Sequence, residues 1–143
     1  MTSSSQPGID GVCMVIQYAK DPEASAAFYR DQLGLRAKEV SAGWAEFEAG
    51  GGVSIALTRG PAIPATREAA RPWVVLACPD VVGTWKRLRA RGVRFLTPPV
   101  RVYGDELTTG LSADLEDPDG NRLSLLGSIP TKELPADGSF PAD

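Results

Sequence analysis

Few side chains in this chain could carry chemistry, because it contains no histidine at all. At neutral pH, proton transfer would then need a carboxylate with a raised pKa, a tyrosine, or a lysine with a lowered one. Strand parity selects among them. Asp114 shares a strand face with Ser124 across a hairpin and is the strongest acid–base candidate; Tyr103 and Asp105 could reach in from the neighbouring loop. Tyr18 shares a face with Met14. Each has a plainer reading. Asp114 can simply pair with Arg122, Tyr103 can be a surface loop residue, and Glu46 and Glu48 can form a solvated or dimer-facing row beside Trp44. Cys13 and Cys78 each lie in an apolar strand, where free buried thiols are the expectation.

The elements that must position these residues come in two copies. Met14–Tyr18 is an apolar run with β-branched Val15 and Ile16, long enough for one strand. Asp21 then suits a helix N-cap, Pro22 the first helical turn, Glu23 the positive end of the dipole, and Gly34 the stop. The same grammar returns with Trp73–Cys78, the N-cap Asp80, the stripe Val81, Trp85 and Leu88, a basic last turn and Gly92. Cap and stop both recur at a spacing of roughly 58–59 residues, which marks an internal duplication.

Strands follow each helix. Arg36–Val40, Trp44–Ala49 and Val53–Thr58 complete a first β-α-β-β-β module, with Gly50–Gly52 as the last turn. Parity sends Gln17 toward the first helix, where an aliphatic residue would be ordinary. In the second copy, Val93–Leu96 ends at Pro98-Pro99, Arg101–Gly110 reads as a longer loop, and Leu111–Glu116 and Asn121–Leu126 form a hairpin through Asp117-Pro118-Asp119-Gly120. Direct pairing of Leu115 with Leu123 sets Asp114 against Ser124; a two-residue slip would set Asp114 against Arg122. The expected organisation is a loose start over residues 1–9, one domain over 10–127 (modules 10–58 and 72–127, connector 59–71) and a loose tail over 128–143.

A length of 143 residues, 43% hydrophobic and 23% charged, describes one ordinary globular domain. Eighteen acids against fifteen bases give a net charge of −3, so no nucleic-acid partner is expected. No apolar run approaches the ~20 residues of a membrane span, and the first residues lack a signal peptide's basic start and apolar stretch. A cytoplasmic location is expected. Two modules whose helices each cover one sheet face leave the opposite faces bare, and a ligand, the other copy or a second chain must fill them.

On the helix-one segment Asp21–Leu35, the terminal hairpin Asp117–Ser124 and the duplicated scaffold, the sequence resembles the vicinal oxygen chelate superfamily over roughly residues 10–127. That family includes glyoxalase I, bleomycin-resistance proteins, fosfomycin-resistance enzymes and extradiol dioxygenases. The resemblance implies an α+β fold of two tandem βαβββ modules, curled half-barrel sheets around a concave cavity. Metal-dependent members hold a divalent ion there with His, Gln and Glu. The positions corresponding to those ligands are Met14, Ala56, Trp73 and Ser124. Thioether and hydroxyl are weak ligands for such ions, and alanine and indole are none, so no metal and no cofactor is expected.

The implied function is a metal-independent, homodimeric binding protein of the bleomycin-resistance type. It would sequester an apolar or aromatic metabolite or antibiotic against Met14, Ile16, Tyr18, Trp44, Ala56, Trp73, Val75 and Ser124. The alternative is a metal-independent isomerase, lyase or cyclase on a natural-product intermediate, with Asp114 or Tyr103 moving a proton. A third possibility, a structural dimer with its cavity plugged by Trp44 and Trp73, completes the set.

Overall fold

The structure, a computed structural model, describes residues 8–60, 64, 66, 67 and 69–141. It divides into two compact units, Val12–Val74 and Val75–Asp143 together with Met1–Gly11.

The first unit contains β1 (Gly11–Tyr18), α1 (Pro22–Ala27), β2 (Arg36–Val40), β3 (Trp44–Glu48) and β4 (Ser54–Thr58). Its strands lie in the order β2-β3-β4-β1, with β4 parallel to β1 and the other neighbours antiparallel. The Asp21 carboxylate caps α1, accepting from the Ala24 amide at 3.2 Å. After Ala27 the helix widens into a π turn over Phe28–Gln32, closed by Leu33 N–H to Phe28 C=O at 3.1 Å, and Gly34 ends it at φ 76°. Gly50, Gly51 and Gly52 all take positive φ, which explains why three glycines stand in the β3–β4 turn.

Ala26 of α1 packs on Ala45, Phe47 and Leu57, with Tyr29, Leu35 and Ala37 around them. Gln17 faces this side, and its amide donates to the Tyr29 hydroxyl at 3.1 Å. The Tyr29 ring in turn stacks on Phe47, 5.3 Å between centroids. An amide under a helix is thereby satisfied, and the misplaced-looking residue has its partner.

The second unit contains β5 (Trp73–Ala77, whose first two residues belong to the first unit), α2 (Val81–Ala90), β6 (Arg94–Phe95), β7 (Val100–Gly104), β8 (Thr108–Glu116) and β9 (Arg122–Pro130). The order is β5-β9-β8-β6, and β7 also pairs with β8. Asp80 caps α2 through the Gly83 amide at 3.0 Å. Val81, Trp85 and Leu88 are buried as the stripe requires, and Arg89 stacks on Trp85 at 5.2 Å. Cys78, Val81, Leu88, Leu111, Ala113 and Leu125 form the core. Gly127 is obligatory there, since a Cβ would collide with the Cys78 carbonyl.

Three sequence expectations need correction. The segment 101–110 is not a long loop: Val100–Gly104 and Thr108 onward are strands around a tight turn. The Asp105 carboxylate sets that turn, accepting from the Leu107 and Thr108 amides at 2.8 and 2.9 Å. The two prolines interrupt one edge strand rather than ending it, so β6 and β7 lie end to end along β8. The tail is not loose from residue 128 onward. β9 continues to Pro130, a 3₁₀ turn follows over Thr131–Glu133, and Leu134 and Phe140 pack on the core. Ile9 packs there too, within the expected loose start; the rest of that start, residues 1–7, lies outside the described residues. So does part of the connector 59–71. Among the described residues, no helix is long and apolar enough to cross a membrane.

Candidate functional site

Each unit keeps one sheet face away from its helix. In the first unit, the registers set Met14, Ile16 and Tyr18 of β1 beside Ser54, Ala56 and Thr58 of β4. These stand in turn beside Glu48, Glu46 and Trp44 of β3. Alternation fixes the face, because Ala45, Phe47 and Leu57 point to α1. Tyr18 and Trp73 meet with centroids 5.5 Å apart and planes tilted by 48°. Trp73, Ala56 and Ser54 are buried, while Met14, Ile16, Tyr18 and Trp44 are half-buried. One end of this face is aromatic, and the middle row sets Ile16 and Ala56 beside the half-buried Glu46.

The polar end holds a residue that sequence reading missed. The β2 ladder shifts between Ala37 and Glu39, leaving Lys38 outside the regular pairing. Its ammonium reaches Glu46 Oε2 and Ser54 Oγ, both at 3.3 Å. Nothing in the alternation of Arg36–Val40 announces a bulge, so no sequence signal placed Lys38 here.

In the second unit, Asp114 stands opposite Ser124, as direct pairing of Leu115 with Leu123 requires. Ser124 Oγ donates to Asp114 Oδ1 at 2.6 Å, and Arg122 Nη2 donates to Oδ2 at 2.8 Å. Glu116, the residue directly across from Arg122, takes Arg94 instead at 3.1 Å. The Asp114 backbone is held as well. Its N–H donates to Thr97 Oγ1 at 3.0 Å, and its carbonyl accepts from the Leu96 amide at 2.7 Å, which carries the ladder across the proline break. Both carboxylate oxygens are therefore occupied. Val75 is buried, and its alternation with Leu76, which packs toward α2, puts it on the helix-free side of β5.

Tyr103 is not brought to Asp114. It pairs with Gly110, over which its ring lies so closely that a Cβ at 110 would clash with it. Four residues of β8, about 13 Å, separate Gly110 from Asp114. Asp105 is engaged in its turn, and those amide hydrogen bonds hold its pKa below the ordinary value. Asp117 is likewise lowered, first by the Asn121 side-chain amide and then by backbone amides. The Asp-Pro-Asp-Gly-Asn motif is thus a turn clamp. Burial raises the thiols of Cys13 and Cys78, which disfavours thiolate chemistry.

The residues do not fit a divalent ion. The family's ligand positions carry a thioether, a methyl, an indole and a hydroxyl already bonded to Asp114. Among the described residues, no three or more His, Cys, Asp or Glu side chains are grouped so that they could hold a metal ion.

This architecture has known counterparts. The Glyoxalase/Bleomycin resistance protein/Dioxygenase superfamily matches residues 11–125, and the chain belongs to that family. Its α+β fold of curled, unclosed sheet is that of the family's solved members. A superfamily member from Vibrio splendidus is 17% identical with a TM-score of 0.58, over 85% of this chain and 99% of that one. A structure described as an NAD-dependent benzaldehyde dehydrogenase from Legionella pneumophila is 22% identical with a TM-score of 0.62, over 80% and 96%. A Mn(II)-bound glyoxalase from Novosphingobium aromaticivorans is 22% identical with a TM-score of 0.57, over 84% of this chain and 39% of that longer one. At such identities the likeness is one of fold. No curated protein matches.

Proposed function

We propose that the protein is a metal-independent small-molecule binder of this superfamily, sequestering an apolar or aromatic metabolite or antibiotic. The observation that supports this most is the paired rings of Tyr18 and Trp73 on a helix-free face that Met14, Ile16, Trp44 and Ala56 also line, its carboxylate Glu46 being held by Lys38. Aromatic walls with few polar groups hold flat apolar ligands by area and ring stacking. Val75 and Ser124 take the corresponding helix-free face of the second unit. Asp114, bound at both oxygens, favours binding over proton transfer by an isomerase, lyase or cyclase.

The test is a fluorescence titration of the Trp85→Phe variant, which leaves Trp44 and Trp73 as reporters, against naphthol and larger fused aromatics. Saturable quenching is expected, weakened about tenfold or more by Trp73→Ala, which removes one wall. Native mass spectrometry of the protein after exposure to a metabolite extract should return its ligand unchanged. A chemically converted ligand would favour the enzyme reading, and stoichiometric Mn, Fe, Ni or Zn would overturn metal independence.

A further inference from the structure

The carboxylates on the two helix-free faces are not equally satisfied. Asp114 accepts a hydrogen bond at each oxygen. Glu46 stands in the middle of the first unit's face with its side chain 16% exposed, and its one ion pair among the described residues runs from Lys38 Nζ to Oε2 at 3.3 Å. Oε1 accepts from no described residue. A carboxylate withdrawn this far from water ordinarily collects donors. Lys38 is incompletely engaged as well. Its ammonium also meets Ser54 Oγ at 3.3 Å, which leaves at least one of its three N–H groups for another acceptor. Charge around the pair is balanced, because Glu48, the next residue on this face, stands opposite Arg36 in the ladder, both of them exposed.

We propose, on the reading of this face as the ligand site, that Lys38 and Glu46 select the ligand's polar group. Among flat aromatics the face takes those bearing a neutral hydroxyl, which donates to Glu46 Oε1 and accepts from Lys38 Nζ. A hydroxyl is donor and acceptor at one atom, so it answers both ions at once. A carboxylate would gain Lys38 but meet Glu46 and Glu48, and an ammonium would gain Glu46 but meet Lys38 and Arg36. Either would also lose its own hydration. Distance sets the scaffold. Glu46 lies on the row next to that of Tyr18, Thr58 and Trp44, two strand residues or about 7 Å along the sheet. Two fused rings laid on Tyr18 and Trp73 span that distance with a hydroxyl at the far end. Ser54 acts through Lys38, holding the ammonium toward the face.

Equilibrium dialysis of the full chain against naphthalene, naphthol, naphthoate and naphthylmethylammonium tests this, since the probes share one ring system and differ in the polar group. Naphthol should bind at least about tenfold more tightly than the other three, the scale of a hydrogen bond to a charged group. Glu46→Gln should cut its advantage over naphthalene about fivefold or more and turn the preference between the charged probes to the carboxylate, as Lys38 loses its counter-charge. Lys38→Met should turn that preference to the ammonium. Naphthalene affinity depends on the rings and not on the ion pair, so it should stay within about twofold in both variants, which reports an intact face. Equal binding of naphthalene and naphthol, both weakened by Trp73→Ala, would overturn the selection and leave the aromatic face standing. A charge preference indifferent to both variants would overturn it too. No saturable binding of any probe would remove the ligand face itself, and the selection with it.

Discussion

Glu46 and Asp114 occupy the same place in the two modules, and each is neutralised by a different route. Glu46 lies opposite Ala56 on β4, and Asp114 lies opposite Ser124 on β9. In the second unit the cation comes from the regular ladder: Arg122 sits on β9, two residues before Ser124, and closes on Asp114 at 2.8 Å. In the first unit Ser54 holds the position equivalent to Arg122, and the cation arrives from the opposite side, on the bulged Lys38, at 3.3 Å. A carboxylate on a half-covered face needs a counter-charge, and duplication has preserved the acid's place without preserving its partner. The helix-facing sides diverge in the opposite sense: Gln17, bonded to Tyr29, stands where the second module has the apolar Leu76.

The largest expected effect lies in the tighter pair. Replacing Arg122 with Met leaves Asp114, 17% exposed, with Ser124 as its remaining side-chain partner. The cost should be about 2 kcal/mol, below that of a fully buried pair because Arg122 is itself 38% exposed. Asp114→Asn alone and combined with Arg122→Met closes a double-mutant cycle by urea denaturation, and coupling of about 1–2 kcal/mol is expected. Coupling near zero would mean that the short distance carries no energy. Lys38→Met should cost less than about 1 kcal/mol, because Lys38 is 46% exposed and its contacts are long. Equal costs for the two cations would break the contrast between ladder and bulge.

The sequence made the repeat legible because caps and stops are local chemistry: Asp21, Asp80, Gly34 and Gly92 act within one helical turn. The common face of Asp114 and Ser124 was legible too, since Leu115 and Leu123 share the opposite one, but parity is the same after a two-residue slip, so the choice of direct pairing was not. Bulges were not. Lys38 and the continuation of the edge strand past Pro98-Pro99 both depend on how one strand re-enters its neighbour's ladder, which side-chain periodicity does not record. The loop expected over 101–110 failed for a related reason. Its polar residues are turn chemistry concentrated at Asp105, not a run of irregular chain. Gln17 looked anomalous only because its partner, Tyr29, lies twelve residues away on another element.

Thr97 offers a sharper test of that proline break. Its hydroxyl accepts the Asp114 amide, so Thr97→Val should cost about 1 kcal/mol, seen as a lower urea midpoint with an unchanged m-value. Gln17→Leu imports the second module's solution into the first. The Tyr29 hydroxyl then loses its amide donor but is half-buried, so the change should stay within about 1 kcal/mol in either direction. A larger loss would show that the Gln17–Tyr29 bond organises the helix.

The smallest effect concerns the hairpin clamp that the first module replaces with three glycines. Asp117 accepts from the Asp119 and Asn121 amides and from the Asn121 side chain, and its pKa is lowered as a result. A lowered folded-state pKa contributes stability that is present above the unfolded value, about 4, and is lost as pH falls through the folded one. Asp117→Ala should therefore melt below the parent at neutral pH, with the gap narrowing steadily once the pH drops under about 4. A gap that stays constant into acid would mean that the clamp works through backbone geometry alone, as the Gly50–Gly52 turn of the first module does, and the two hairpins would then differ in sequence but not in mechanism.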